Sequence, residues 1–161
     1  MPSARVIRAD GVELASESFG DRHDPTILLI MGTMASMLWW PDGFCARLAD
    51  RRRHVVRYDH RDTGLSTTYP LGEPPYTGSD MAADALRILD GYGVASAHLV
   101  GMSMGGALAQ LVALGHPERT RSLTVISSSP IGEDTSHLPG ASTAYRKHAA
   151  QAGEIDWSDR A

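Results

Sequence analysis

"HLVGMSMGGALAQ", residues 98–110, runs from an apolar tract through a serine flanked by glycines into a tract with helical spacing. Within it, Gly101-Met102-Ser103-Met104-Gly105 has the form G-x-S-x-G. A nucleophilic hydroxyl must project from a cramped strand-to-helix turn, and glycines two residues before and after the serine supply the room. Gly106 adds more. The N–H of Met104 would then point from a helix N-terminus toward a developing oxyanion, where the helix dipole favours negative charge. The string alone can arise by chance in a chain with 16 glycines. Its setting, strand before and helix after, is what makes it a candidate. Gly101, Gly105 and Gly106 do not form G-x-G-x-x-G, and no P-loop lysine follows, which excludes the nucleotide-binding alternatives.

Outward from this turn, strands and helices alternate. "RVIRADGVELASESFG" reads as two strands joined at Asp10-Gly11, a hairpin dipeptide. "TILLIMG", "HVVRYDHRDTG", "AHLVGM" and "SLTVISSSP" are apolar throughout, as strands buried on both faces are. Between them, "PDGFCARLAD" places Phe44 and Leu48 four apart, which suits a short helix. "SDMAADALRILDGYG" puts Met81, Ala82, Ala85, Leu86 and Leu89 on one helical stripe, with Ser79 as the expected N-cap and Gly91 or Gly93 as the stop. "MGGALAQLVALGHPE" is a further helix, closed by Gly115 and Pro117. The pattern predicts an α/β fold with a mostly parallel sheet and helices on both faces. After Pro130 the chain turns polar, with one helix expected near "STAYRKHAAQAG". The expected division is a core over 1–130 and a lid beginning or extended tail over 131–161.

An oxyanion hole needs a second N–H from another loop. "IMGTMASMLWWP" offers it. Gly32 breaks the strand, and Thr33 presents its backbone N–H at the end of the sheet where ligands bind in open α/β folds. Met34, Met37, Trp39 and Trp40 in the same segment suit an apolar pocket wall, and core packing accounts for them equally well.

These motifs together resemble the N-terminal part of the α/β-hydrolase superfamily. "IMGTMASMLWWP", "RYDHRDTGLST" and "VGMSMGG", in that order, are similar to the subgroup of anthracycline (aclacinomycin-type) methylesterases and haloperoxidase-like serine esterases. The resemblance covers about residues 10 to 130. It implies an α/β-hydrolase fold, Ser103 as nucleophile, and backbone N–H groups of Thr33 and Met104 as the oxyanion hole. Met31 stands where many members carry histidine, a departure that the methylesterase-like subgroup shares. The resemblance also suggests that Asp59, Arg61 and Asp62 brace loops near the pocket, without reacting.

Composition limits the other possibilities. The net charge is −4, with 42% hydrophobic and 21% charged residues over 161 positions. That fits one globular domain with a real core and no basic face, so neither nucleic acid nor an anionic membrane is an expected partner. The run Arg51-Arg52-Arg53 reads as a solvated loop. Cys45, the one cysteine, excludes an intrachain disulfide and a cysteine-based zinc site, and reads as a buried thiol. No stretch is long and apolar enough to span a bilayer, and the N-terminus lacks a signal-peptide core. The expectation is a cytoplasmic protein with a small-molecule ester substrate, no cofactor and no metal.

A serine needs a base, and the base an orienting acid. In this superfamily both follow the nucleophile, and the chain continues from Ser103 only to Ala161. His98 begins the strand that ends at Ser103, so it lies ~16 Å away. His116 ends the following helix, ~18 Å off. His23 and His54 precede their strands and fall at the opposite end of the sheet. His60 is at the right end, on the oxyanion side. His137 and His148 lie in the tail and can in principle reach back. Where some relatives carry the acid, this chain has Ser127, Ser128 and Ser129, with Glu133 and Asp134 following. Two further strands would pair beyond "SLTVIS" in the family's order, and without them that strand becomes an exposed edge. The expectation is thus a truncated or cleaved hydrolase half that lacks the C-terminal strands. The alternatives are a non-catalytic half-domain that associates through its edge or has no role, a chain completed by a C-terminal fragment, and two copies that lend each other His137 or His148.

Overall fold

The computed structural model describes residues 3–70, 72, 74–132, 134, 137 and 139–152. The chain forms two units, Met1–Ile131 and Gly132–Ala161. The first is a six-stranded mixed sheet in the order β1-β2-β4-β3-β5-β6. β1 (Ser3–Ala9) and β2 (Val12–Phe19) form an antiparallel hairpin. Its two turn residues, Asp10 at φ 49 and Gly11 at φ 77, both take the left-handed conformation that matches the twist of a tight hairpin. β2 runs antiparallel to β4 (His54–Tyr58), and β4, β3 (Thr26–Ile30), β5 (Ala97–Met102) and β6 (Thr120–Ile126) are parallel.

The parallel strands bury alternate residues on opposite faces, so one apolar run feeds two cores. Val56, Leu28 and Leu99 stand in one cross-strand row. They pack with Ala85, Ile88 and Leu89 of α2 (Gly78–Gly91) and with Leu108, Ala109 and Val112 of α3 (Met104–Gly115). On the other face Leu29, Val55 and Phe19 meet Cys45, Leu48 and Ala49 of α1 (Asp42–Ala49) and buried Trp40. The helical stripe of α1 therefore runs through Cys45 and Leu48. Phe44 is half out in solvent and stacks on the Trp40 ring, with centroids 5.8 Å apart.

Two expectations are corrected. The N-cap of α2 is Thr77, not Ser79. Thr77 Oγ1 accepts from Asp80 N–H at 3.3 Å, and Asp80 Oδ2 accepts from Thr77 N–H at 2.8 Å. Such a reciprocal box satisfies two orphan donors, which a serine one residue inside the helix cannot do. The buried stripe of α2 includes Asp84, with Leu86 only partly covered. The fourth apolar strand, β6, is the exposed edge expected of it: among the described residues it is outermost in the sheet and largely exposed.

Arg57, next to the last residue of buried β4, is 1% exposed. It lies over the Phe19 ring, donates to the Trp40 carbonyl and pairs with Glu17 and Asp42. A buried guanidinium needs that many partners, because an unpaired charge out of water is costly. In the second unit, α4 (Thr143–Ala152) begins beyond Ser142, whose Oγ accepts from Tyr145 N–H at 3.1 Å. No helix among the described residues is long and apolar enough to cross a membrane.

Candidate active site

Ser103 joins β5 to α3 with φ 52 and ψ −120, a conformation that residues with a Cβ rarely adopt. Holding it costs on the order of 1–3 kcal/mol, and its surroundings must enforce it. Ser103 N–H donates to the Ile126 carbonyl of β6 at 2.9 Å, and the Ser103 carbonyl accepts from Gly106 N–H at 2.9 Å. The glycines mark close approaches of backbone to backbone. A Cβ on Gly101 would collide with the Gly105 carbonyl, and one on Gly105 with the Ile30 carbonyl. The turn is therefore packed tightly below, and Ser103 itself is exposed above.

The segment after β3 lies against this serine. A Cβ built on Gly32 would stand 3.3 Å from Ser103 Cβ and 3.9 Å from its Oγ. Thr33 follows in an exposed turn, and Met104 is the first residue of α3. The structure thus brings Gly32, Ser103 and the start of α3 to one end of the parallel strands. The segment ends in a short 3-10 turn, Met37–Trp39. Its four expected wall residues divide: Met34 and Trp39 are exposed, whereas Met37 and Trp40 are buried. Exposed Leu38 lies in the same segment, and exposed Leu65 in the loop after β4.

The loop after β4 is built on buried polar groups. Asp59, 1% exposed, accepts from Met37 N–H at 2.7 Å with Oδ1 and from Leu65 N–H at 3.0 Å with Oδ2. It ties the two loops together. Gly64, at φ 51, leaves no room for a side chain beside that carboxylate. Arg61 forks onto buried Asp84 at 2.7 and 2.9 Å, and Arg87 adds a third bond at 2.9 Å. Asp62 accepts from Tyr69 N–H and from the Tyr76 hydroxyl, each at 2.6 Å. Partial burial, with the Asp62 carboxylate beside it, pushes the Tyr76 hydroxyl up to about 12.

Among the described residues of Met1–Ile131, no histidine hydrogen-bonds Ser103. His54 is buried at the start of β4, with Nδ1 3.1 Å from Thr26 Oγ1, and burial lowers its pKa. His98 meets Ser122 Oγ at 2.8 Å, His116 faces Glu118, and His23 is exposed ahead of β3. His60 donates from Nε2 to the Met31 carbonyl at 2.9 Å. His137 and His148 belong to the second unit, as does Asp134, while Glu133 lies outside the described residues. Ser127, at φ 50, and Ser128, whose Cβ abuts Gly106, close the β6 side of the turn. Among the described residues no cluster of three potential metal ligands occurs.

Asp84 was not among the candidates that sequence spacing supplied, and His60 was weighed only as a base, at the right end of the sheet on the oxyanion side. A carboxylate inside an apolar helical stripe was the available signal for Asp84. For His60 the place at the end of its strand was legible, but its bond to the Met31 carbonyl was not.

Comparison with known proteins adds independent findings. A family model described as the alpha/beta hydrolase fold matches residues 25–147. Rhodomycin D methylesterase DauP of Streptomyces sp. (strain C5) is 46% identical over 134 residues, covering 83% of this chain and 45% of that protein. Rhodomycin D methylesterase DnrP of Streptomyces peucetius matches at the same identity and coverage. Among solved structures, a hydrolase from Pseudomonas aeruginosa PA01 aligns with a TM-score of 0.71 at 28% identity, over 96% of this chain and 54% of that one. The chain thus spans about half the length of the relatives it matches.

Proposed function

Because the chain belongs to the α/β-hydrolase family, we propose that it carries the nucleophile of an esterase acting on small carboxylic esters, methyl esters in particular. Ser103 Oγ attacks the ester carbonyl carbon and gives its proton to a base. Backbone N–H groups of Thr33 and Met104 bind the oxyanion. Collapse expels the alcohol, which takes the proton back, and water then hydrolyses the acyl-enzyme by the same route. The methyl-ester preference rests on the two methylesterase relatives. The single observation that carries the reading is the forced backbone of Ser103, at φ 52 and ψ −120, facing Gly32.

The base and its acid are assigned to a source outside Met1–Ile131, since the five histidines of that unit are engaged elsewhere or exposed far from the serine. The segment from residue 131 onward is read as a lid beginning or tail. With the base supplied, a fluorophosphonate probe should label Ser103, and Ser103→Ala should abolish both labelling and ester turnover. A serine left unlabelled under that condition, with turnover unchanged in Ser103→Ala, would refute the reading. Loss of turnover on replacing His137 and His148 together would place the base in the second unit, and retention would remove both histidines as candidates.

A second reading has its own observation. β6 exposes Leu123 and Val125 at the sheet edge, which suits a non-catalytic half-domain that works by association. It predicts a self-associating or partner-bound species without esterase turnover, and an active monomer in light scattering would exclude it.

A further inference from the structure

We propose that His60 is a positioning residue, whose Nε2–H holds the Met31 carbonyl so that the turn at Gly32 and Thr33 stays beside Ser103. The proposal rests on the reading of Ser103 as nucleophile.

Leu29 and Arg57 are partners in the parallel pairing of β3 with β4, so the two strands deliver Met31 and His60 to the same end of the sheet. His60 is 2% exposed, and its Nε2 lies 2.9 Å from the Met31 oxygen. A carbonyl only accepts, so Nε2 must carry the proton. Nδ1 is buried and has no hydrogen-bond partner among the described residues. Burial also lowers the pKa of this ring, outweighing the Met31 bond and the Asp84 and Asp59 charges. The neutral Nε2–H form is therefore the one that fits, and it leaves no lone pair free at Nε2 to act as a base.

The same Met31 oxygen is pressed from a second direction. A Cβ on Gly105 would sit 2.5 Å from it, so the first turn of α3 packs directly on this carbonyl. One peptide unit later, Gly32 faces Ser103. The Met31–Gly32 peptide thus links the His60 bond to the nucleophile. Asp59 holds the far part of the same segment through Met37 N–H, so the segment is tied near its beginning and again further on. Donors aimed at a developing charge act only when they are held in place beforehand. A shift of about 1 Å in such a group costs on the order of a hundredfold in rate.

The experiment compares wild type, His60→Gln, His60→Asn and His60→Leu in the full chain. The Gln amide can donate from where Nε2 stood, whereas the Asn amide sits where Nδ1 stood and Leu has no donor. The readouts are the rate of fluorophosphonate labelling of Ser103 and the urea midpoint. Labelling is expected to slow about tenfold to a hundredfold in His60→Leu and His60→Asn, and to stay within about threefold of wild type in His60→Gln. The wild-type ring should also show a protonated Nε2 and bare Nδ1 by 15N NMR. Equal labelling rates in Gln, Asn and Leu variants would overturn the proposal, as would an Nδ1–H tautomer. If His60→Leu does not fold, the Gln and Asn pair decides. A wild-type Ser103 that takes no label with the base supplied would instead overturn the nucleophile reading, and this role with it.

Discussion

β3 and β6 flank the same strand, β5, and both are apolar parallel strands, yet they live in different surroundings. Leu28, Leu29 and Ile30 of β3 are fully buried between β4 and β5. Leu123 and Val125 of β6 are 39% and 38% exposed. At its end, β3 passes into a segment held by His60, Asp59 and the close approach of Gly105. β6 contributes its Ile126 carbonyl to the serine turn and then runs into three serines. The serine turn is therefore flanked on one side by a buried strand with buried polar groups at its end, and on the other by a strand whose apolar side chains are exposed. Apolar composition shows that a strand can be buried. Its neighbours decide whether it is.

The comparison is broken most severely by removing a buried charge on the buried side. Asp84→Ala strips both Arg61 and Arg87 of their shared partner and is expected to cost about 3–5 kcal/mol, read as a drop in urea midpoint. Leu28→Ala should cost about 2–5 kcal/mol, because the cavity lies between two packed layers. A cost under 1 kcal/mol there would mean that the β3 side is far looser than described.

Acid should weaken the same side. Burial lowers the pKa values of His54 and His60 in the folded chain, so the unfolded chain binds more protons below about 6.5. Stability is then complete above that pH and declines as pH falls through it toward the folded values. Each histidine contributes a slope of at most about 1.4 kcal/mol per pH unit. Urea midpoints at pH 7.5 and 5.5 should differ, and His60→Gln should shrink the difference. An unchanged difference would remove His60 from the account.

The smallest effect belongs to the exposed side. Leu123→Thr should change stability by less than about 0.5 kcal/mol, since the residue is already half in water. Any self-association measured for the wild type should weaken in that variant. A loss of stability comparable to Leu28→Ala would show that β6 is covered in solution.

Much of this organisation is legible residue by residue. Asp10-Gly11 specified a hairpin because both positions must take positive φ. The apolar runs at residues 26–30, 54–58 and 97–102 specified strands, and G-x-S-x-G specified the turn between β5 and α3. These are local properties, in which backbone conformation and spacing act within a few residues of each other. Thr77 escaped that logic by two residues, because a cap is chosen by which hydroxyl reaches the first free N–H groups.

Other features were decided only when distant segments met. Arg57 reads as a foreign charge in an apolar strand until Glu17, Asp42 and the Trp40 carbonyl surround it. Met37 and Trp40 turn inward while Met34 and Trp39 turn out, although all four share one short apolar segment. Asp84 and His60 acquire their roles from Arg61 and the Met31 carbonyl. By itself the sequence determined the α/β alternation, the hairpin and a serine at a strand-to-helix turn, because periodicity and steric demand are written locally. The tertiary structure decided which charges are buried, which apolar residues stay in water and what holds the segment beside Ser103. Burial and electrostatic satisfaction depend on partners that only folding brings together.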